Sequence, residues 1–71
     1  MTTVLQEERR RAGISLREFQ KRSGIHFSRI SRQERRREPL FPRDVQRYAN
    51  ALGVDGKRLV DENGYARISE D

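Results

Sequence analysis

The stretch Ser15–Arg37, SLREFQKRSGIHFSRISRQERRR, constrains this chain more than any other. Ser15 followed three residues later by Glu18 has the pattern of a capping box, which opens a helix over roughly residues 16–23. Phe19 is spaced to point inward from that helix, and Ile14 is placed as the apolar staple before it. Gly24 stops it, because glycine takes the left-handed backbone that ends helices at little cost. Only Ile25 and His26 then precede a further helix over about residues 27–35, tight enough to force a fixed crossing angle. Ile30 is the one aliphatic residue of this second helix, and Ser28, Arg29, Arg32, Gln33 and Arg36 cover its outer faces. So narrow an apolar stripe leaves core burial unable to account for the rest of the surface. A solvated face explains the pattern about as well as a ligand-reading face. The tight turn before it and the arginines after it favour the second.

The rest of the chain reads as support for this pair. A helix over about residues 3–12 precedes it, capped by Thr2 or Thr3, with Val4, Leu5, Glu8 and Ala12 on one stripe and Gly13 as its stop. The segment Glu38–Pro42, EPLFP, is a loop because of its prolines, and Leu40 or Phe41 plugs the core from it. Pro42 at the first helical position opens a helix running to Leu52, with Val45, Tyr48, Ala49 and Leu52 at helical spacing and Gly53 after them. A last short helix is expected over about residues 55–61, contributing Leu59 and Val60, and Asn63-Gly64 ends it. The predicted division is therefore one domain over residues 1–64 and a frayed C-terminal tail over 65–71. The fold class is all-α, a compact five-helix arrangement.

Composition removes several functions. Without cysteine there is no disulfide, no thiolate catalysis and no Cys-type zinc site, and a lone His26 makes no convincing metal site. No paired inward carboxylates and no Gly-rich phosphate loop occur, so no enzyme and no cofactor are expected. No apolar run approaches the ~20 residues of a membrane span, and no signal-type segment follows Met1. A soluble, cytoplasmic and nucleoid-associated protein is expected. Charge is lopsided: residues 1–37 hold eleven Lys/Arg against four Asp/Glu, and residues 38–71 hold five against seven, so +7 and −2 give the net +5. That asymmetry puts a polyanion-facing surface on the first half without distinguishing DNA from RNA or an acidic membrane.

Two short helices across a glycine turn, ending in arginines, form the helix-turn-helix pattern, whose second helix lies in the DNA major groove. The order Gly13-Ile14-Ser15, Phe19, Gly24-Ile25, Ile30-Ser31-Arg32, Glu34-Arg35, then Pro42, Val45, Ala49 and Ala51-Leu52-Gly53-Val54 resembles the Cro/repressor (XRE-type) family. The resemblance covers about Leu5 to Gly64 and implies a lambda-repressor-like DNA-binding domain. Carried over by position, it implies base reading by Phe27, Ser28, Arg29 and Arg32. Arg32 can pair with guanine O6/N7, and Phe27 can pack on a thymine methyl unless it folds back onto the core. It implies phosphate contacts from Ser15, Arg17, His26, Arg35, Arg36, Arg37 and Arg43, with His26 also standing where the family has a capping hydroxyl. It implies a structural ion pair between Arg9 and Glu34, and a homodimer on a two-fold symmetric operator of double-stranded DNA. The dimer face it implies lies around Val54, Leu59, Val60 and Tyr65.

The sequence departs from that pattern in places. Leu16 replaces a phosphate-binding glutamine, Arg36 replaces a common glycine, and Gln20, Ser23 and Gln33 stand where apolar residues are usual. Three polar residues at semi-buried positions imply a looser core or a surface completed by a partner. A Cro-sized regulator, a restriction–modification controller and an antitoxin all fit the length. The competing classes are a protein-docking module using Phe27, Leu40, Phe41 and Leu16, and an architectural or recombination-directionality protein that bends DNA.

Overall fold

A computed structural model describes residues 2–70 of the chain. Four α-helices succeed one another: α1 (Val4–Arg11), α2 (Leu16–Ser23), α3 (Phe27–Glu34) and α4 (Pro42–Leu52), then a single 3-10 turn, Gly56–Arg58. Among the described residues there is no β-strand, only isolated antiparallel bridges pairing Thr3 with Ile68 and Val60 with Ala66.

The helices begin where local hydrogen-bonding chemistry allows. Thr3 Oγ1 accepts the Gln6 N–H at 3.3 Å, and the same hydroxyl donates to the Glu34 carbonyl at 3.0 Å. One buried threonine thus caps α1 and ties it to the last turn of α3. Ser15 Oγ accepts the Glu18 N–H at 3.1 Å, while the Glu18 carboxylate takes Arg22 one turn on, also at 3.1 Å. Pro42 occupies the first position of α4, and Asp44 Oδ2 accepts the Phe41 N–H at 3.1 Å.

Leu5, Ile14, Phe19, Ile25, Ile30, Leu40, Tyr48, Leu59 and Ala66 form the core. Phe19 and Tyr48 meet with ring centroids 5.0 Å apart, joining α2 to α4. Leu40 is the loop residue that plugs this core, whereas Phe41 stays 56% exposed. Ala12, expected on the apolar stripe of α1, is exposed, so Leu5 and Glu8 carry the buried face of that helix.

The core is not loose at its polar positions. Gln33 is fully buried, and its amide nitrogen donates to the Pro39 carbonyl at 3.1 Å and to Asp44 Oδ2 at 3.0 Å. Its amide oxygen accepts the Tyr48 hydroxyl. Burial, together with the Asp44 carboxylate, pushes that hydroxyl well above the usual tyrosine range. Ser23 Oγ donates to the Phe19 carbonyl at 2.7 Å and accepts the Ile25 N–H at 3.2 Å. Gln20 Oε1 accepts the Phe27 N–H at 2.9 Å. The three polar residues expected to loosen the core are therefore its fasteners. Among the described residues no buried side-chain polar atom lacks a partner.

The end of the chain corrects the sequence reading twice. The expected fifth helix is only the 3-10 turn Gly56–Arg58, capped by Asp55, whose Oδ1 accepts the Lys57 N–H at 3.0 Å. Gly56 lets this turn sit against α4, since a Cβ there would lie 2.8 Å from Val45 Cγ1. Asp61 then turns the chain: its Oδ1 accepts the N–H groups of Asn63 at 2.9 Å and Tyr65 at 3.0 Å, taking the backbone out of helix. Residues 65–70 are not the expected frayed tail, because backbone hydrogen bonds tie them to the domain. Tyr65 O accepts the Asp61 N–H at 2.8 Å, Arg67 N–H donates to Leu59 O at 2.9 Å, and Arg67 O accepts the Val4 N–H at 2.8 Å. Ser69 N–H reaches Thr2 O at 2.7 Å, and Ala66 is fully buried beneath this lattice. Asp71, the final residue of the expected tail, lies outside the described residues.

Candidate nucleic-acid interface

The turn between α2 and α3 is closed by Gly24, at φ +77°, whose N–H donates to Gln20 O at 2.8 Å. Gln20 holds the far side of the turn through Phe27 N–H, so one side chain of α2 fixes where α3 begins. His26 is the N-cap: Ser28 N–H donates to His26 Nδ1 at 3.2 Å, and Ser28 Oγ lies 2.8 Å from the same nitrogen. An Nδ1 that accepts must be unprotonated, which assigns the ring hydrogen to Nε2. Ile30, Gln33 and Glu34 anchor the inner face of α3, leaving Phe27, Ser28 and Ser31 half-buried and Arg32 exposed outside.

Phe27 does not fold back into the core. Its ring lies on the His26 ring, centroids 4.6 Å apart, and Arg17 crosses it at 4.9 Å from the centroid. Arg17, Phe27, His26 and Ser28 therefore form one contiguous surface at the open end of the turn. Ser15 is exposed at the cap of α2, and its hydroxyl retains a hydrogen to donate while it accepts from Glu18. Arg35, Arg37 and Arg43 have no acidic partner among the described residues, and Arg37 and Arg43 stand at the surface around the loop between α3 and α4.

Two residues expected at the DNA surface form ion pairs that link α3 and the loop after it to the rest of the chain. Arg29 Nη2 lies 3.1 Å from Asp44 Oδ2 and its Nε 3.6 Å from Glu38 Oε2, while the guanidinium sits 5.9 Å from the Phe41 ring centroid. Asp44 is buried and also holds Gln33 and the Phe41 N–H, so Arg29 belongs to the joint between α3 and α4. Arg36 points to the C-terminal segment, with Nη2 3.3 Å from Asp61 and the guanidinium 5.8 Å from the Tyr65 ring centroid. Its backbone is left-handed at φ +62°. Arg37 N–H to Arg32 O at 2.9 Å and Arg36 N–H to Gln33 O at 3.1 Å make a Schellman closure in which an arginine fills the usual glycine position. The Tyr65 N–H, then the Asn63 N–H and the Arg36 charge, hold the Asp61 carboxyl below its ordinary 3.8.

Arg9 and Glu34 meet in a bidentate pair, Nε to Oε2 at 2.7 Å and Nη2 to Oε1 at 3.3 Å. Arg9 Nη1 also donates to the Ile14 carbonyl at 3.0 Å, so one guanidinium binds α1, the loop before α2 and the end of α3. The pair is nearly enclosed, the two side chains being 12% and 3% exposed.

Sequence reasoning misses several members of the site. Glu38 contacts both Arg29 and Arg32, the latter through Arg32 Nε to Oε1. Arg47 lies one turn beyond Arg43, with Nη1 3.5 Å from where a Cβ on Gly24 would stand. The four-residue spacing of Arg43 and Arg47 on α4 is the signal that could have found it. Leu59, expected on a dimer face, is fully buried, and what remains of that face is Val54, Val60 and Tyr65. No cluster of potential metal ligands and no helix long and apolar enough to cross a membrane occurs among the described residues.

A family model described as a helix-turn-helix domain matches residues 1–62. No curated protein and no solved structure matches the chain.

Proposed function

This chain belongs to the helix-turn-helix domain family, and from that premise we propose that it is a sequence-specific, non-enzymatic regulator of transcription acting on double-stranded DNA. Within the family it fits the Cro/repressor (XRE-type) branch, as a small Cro-like or restriction–modification controller-like protein in the cytoplasm, on the nucleoid. The observation that carries this reading is the outer surface of α3. Phe27, Ser28 and Arg32 face outward from a helix whose inner side is fully fastened, and Arg17, Arg35, Arg37, Arg43 and Arg47 flank it.

In this reading α3 lies in the major groove. Arg32 reads guanine, Phe27 packs on a thymine methyl, and Ser28 contacts base or phosphate. Arg17, Arg35, Arg37, Arg43 and Arg47, with Ser15 and the His26 ring, lie along the sugar-phosphate backbone and set register. Arg29 supports α3 from behind, and Arg36 secures the loop after it. One such helix reads too few base pairs to select a site, so two copies bind half-sites ~34 Å apart on a two-fold symmetric operator. Val54, Val60 and Tyr65 are the partly exposed residues available for that pairing.

A protein-docking module is less well supported. Of the four apolar residues such a surface would use, Leu40 is buried and Leu16 packs against the core, which leaves Phe27 and Phe41. Selection of bound sequences from a random duplex pool, read by fluorescence anisotropy at two salt concentrations, tests the proposal. Enrichment of an inverted-repeat site with salt-sensitive affinity is expected. No enrichment and no duplex binding would overturn it.

A further inference from the structure

We propose that Glu38, in the loop between α3 and α4, is a positioning residue that aims Arg32 at its base and so sets sequence preference. The inference rests on the DNA-reading assignment of α3. A guanidinium offers five N–H groups in a rigid plane, and guanine O6/N7 takes two of them side by side. Glu38 Oε1 engages Arg32 at Nε, the inner end of that plane. The terminal Nη1 and Nη2 groups remain as the outward fork, held at one orientation. Glu38 Oε2 lies 3.6 Å from Arg29 Nε, and Arg29 is itself held on the buried Asp44 at 3.1 Å. The carboxylate is thus braced from behind, so Arg32 is mounted on a chain of fixed charges that ends in the core.

This arrangement has a second effect. An acidic group beside Arg32 lowers its attraction to phosphate wherever it lands, while a guanine can use the Nη fork without displacing Glu38. Non-specific binding is weakened and the matched base is favoured, a device that works through the competitor as much as through the target.

Glu38→Ala and Glu38→Gln separate the two effects, because both remove one negative charge and only the glutamine keeps an oxygen that can accept from Arg32 Nε. The site selected by the full-length wild-type chain and the same site with its Arg32-contacted guanine replaced by 7-deazaguanine are compared by anisotropy. Removing N7 should weaken the wild type about tenfold. E38A should lose most of that discrimination, E38Q should keep the larger part of it, and both should bind random duplex more tightly than the wild type. With E38A and E38Q melting alike, discrimination kept by the glutamine alone is a result that a merely structural role would not produce; should E38A melt below the assay temperature, Glu38→Ser, whose short side chain cannot reach Arg32 Nε, is read in its place. Full discrimination in E38A, or equal losses in E38A and E38Q, would overturn the positioning role while leaving DNA reading by α3 intact. A wild-type chain that selects no sequence would overturn both.

Discussion

Gln33→Leu is the most informative stability test, because leucine nearly matches glutamine in volume and removes all of its hydrogen bonding. Gln33 links α3 to the Pro39 carbonyl, the Asp44 carboxylate and the Tyr48 hydroxyl in the middle of the core. The Tyr48 hydroxyl has no alternative, since its residue is fully buried. Asp44 keeps Arg29 and the Phe41 N–H, and so loses only part of its solvation. An orphaned hydroxyl and a weakened charge-assisted bond together cost about 3 kcal/mol. Added apolar burial by leucine returns about 1 kcal/mol, for a net loss of about 2 kcal/mol. For a domain of this size, 1 kcal/mol moves the melting midpoint by roughly 4–8 °C, so a drop of about 8–16 °C is expected by circular dichroism. Tyr48→Phe in the same background removes the orphan and should recover roughly half of that loss. If the double variant is instead as unstable as the sum of the two single ones, the hydroxyl–amide bond is not what holds these helices together.

Glu34→Ala strands the Arg9 guanidinium and should cost roughly 3–5 kcal/mol, enough to unfold most of the population; an unchanged melting curve would dismiss the pair. Truncation after Gly64 removes Ala66 from the core together with the pairing to Thr2, Val4 and Leu59, so a lower midpoint in urea is expected, and identical curves would mean the C-terminal segment adds nothing. Because the folded Asp61 carboxyl titrates below its unfolded value, its contribution is present above the ordinary 3.8 and is lost as pH falls below it. Asp61→Asn should therefore melt lower than wild type near neutrality and converge with it in acid; parallel curves across that range would contradict the assignment. Arg43→Ala with Arg47→Ala should reduce the log–log salt slope of duplex binding by about 0.9 for each phosphate contact removed, and an unchanged slope would take α4 off the DNA backbone.

The elements legible in the sequence are those with local causes. Thr3, Ser15, Pro42 and the glycines at 13, 24 and 53 mark helix ends by hydrogen bonds, a fixed φ or left-handed backbone confined to a few residues, and α1, α2 and α4 fall where those marks put them. The C-terminal segment escapes a sequence reading because its structure is made at long range: Ile68 pairs with Thr3, and nothing near Ile68 announces it. Asp61 does carry a local signal, an acidic turn former two residues before Asn63-Gly64, which the expected helix over about residues 55–61 passes over. Gln33 reads two ways in sequence, polar on an outer face yet at a usually apolar position, and the Pro39 carbonyl with Asp44 and Tyr48, in a different helix, supplies the partners that let its amide be buried. Arg29 and Arg32 look interchangeable in sequence. Asp44 separates them, drawing Arg29 inward and leaving the Arg32 fork outside.

The most direct test of α3 as the reading surface is amide chemical-shift mapping of the chain titrated with its selected duplex. The expected shifts concentrate at residues 15–17, 26–32 and 35–37 and along the outer side of α4 at Arg43 and Arg47, with any shifts in residues 56–70 limited to the pairing face around Val60 and Tyr65. Shifts confined to residues 56–70, or around Phe41 alone, would contradict it.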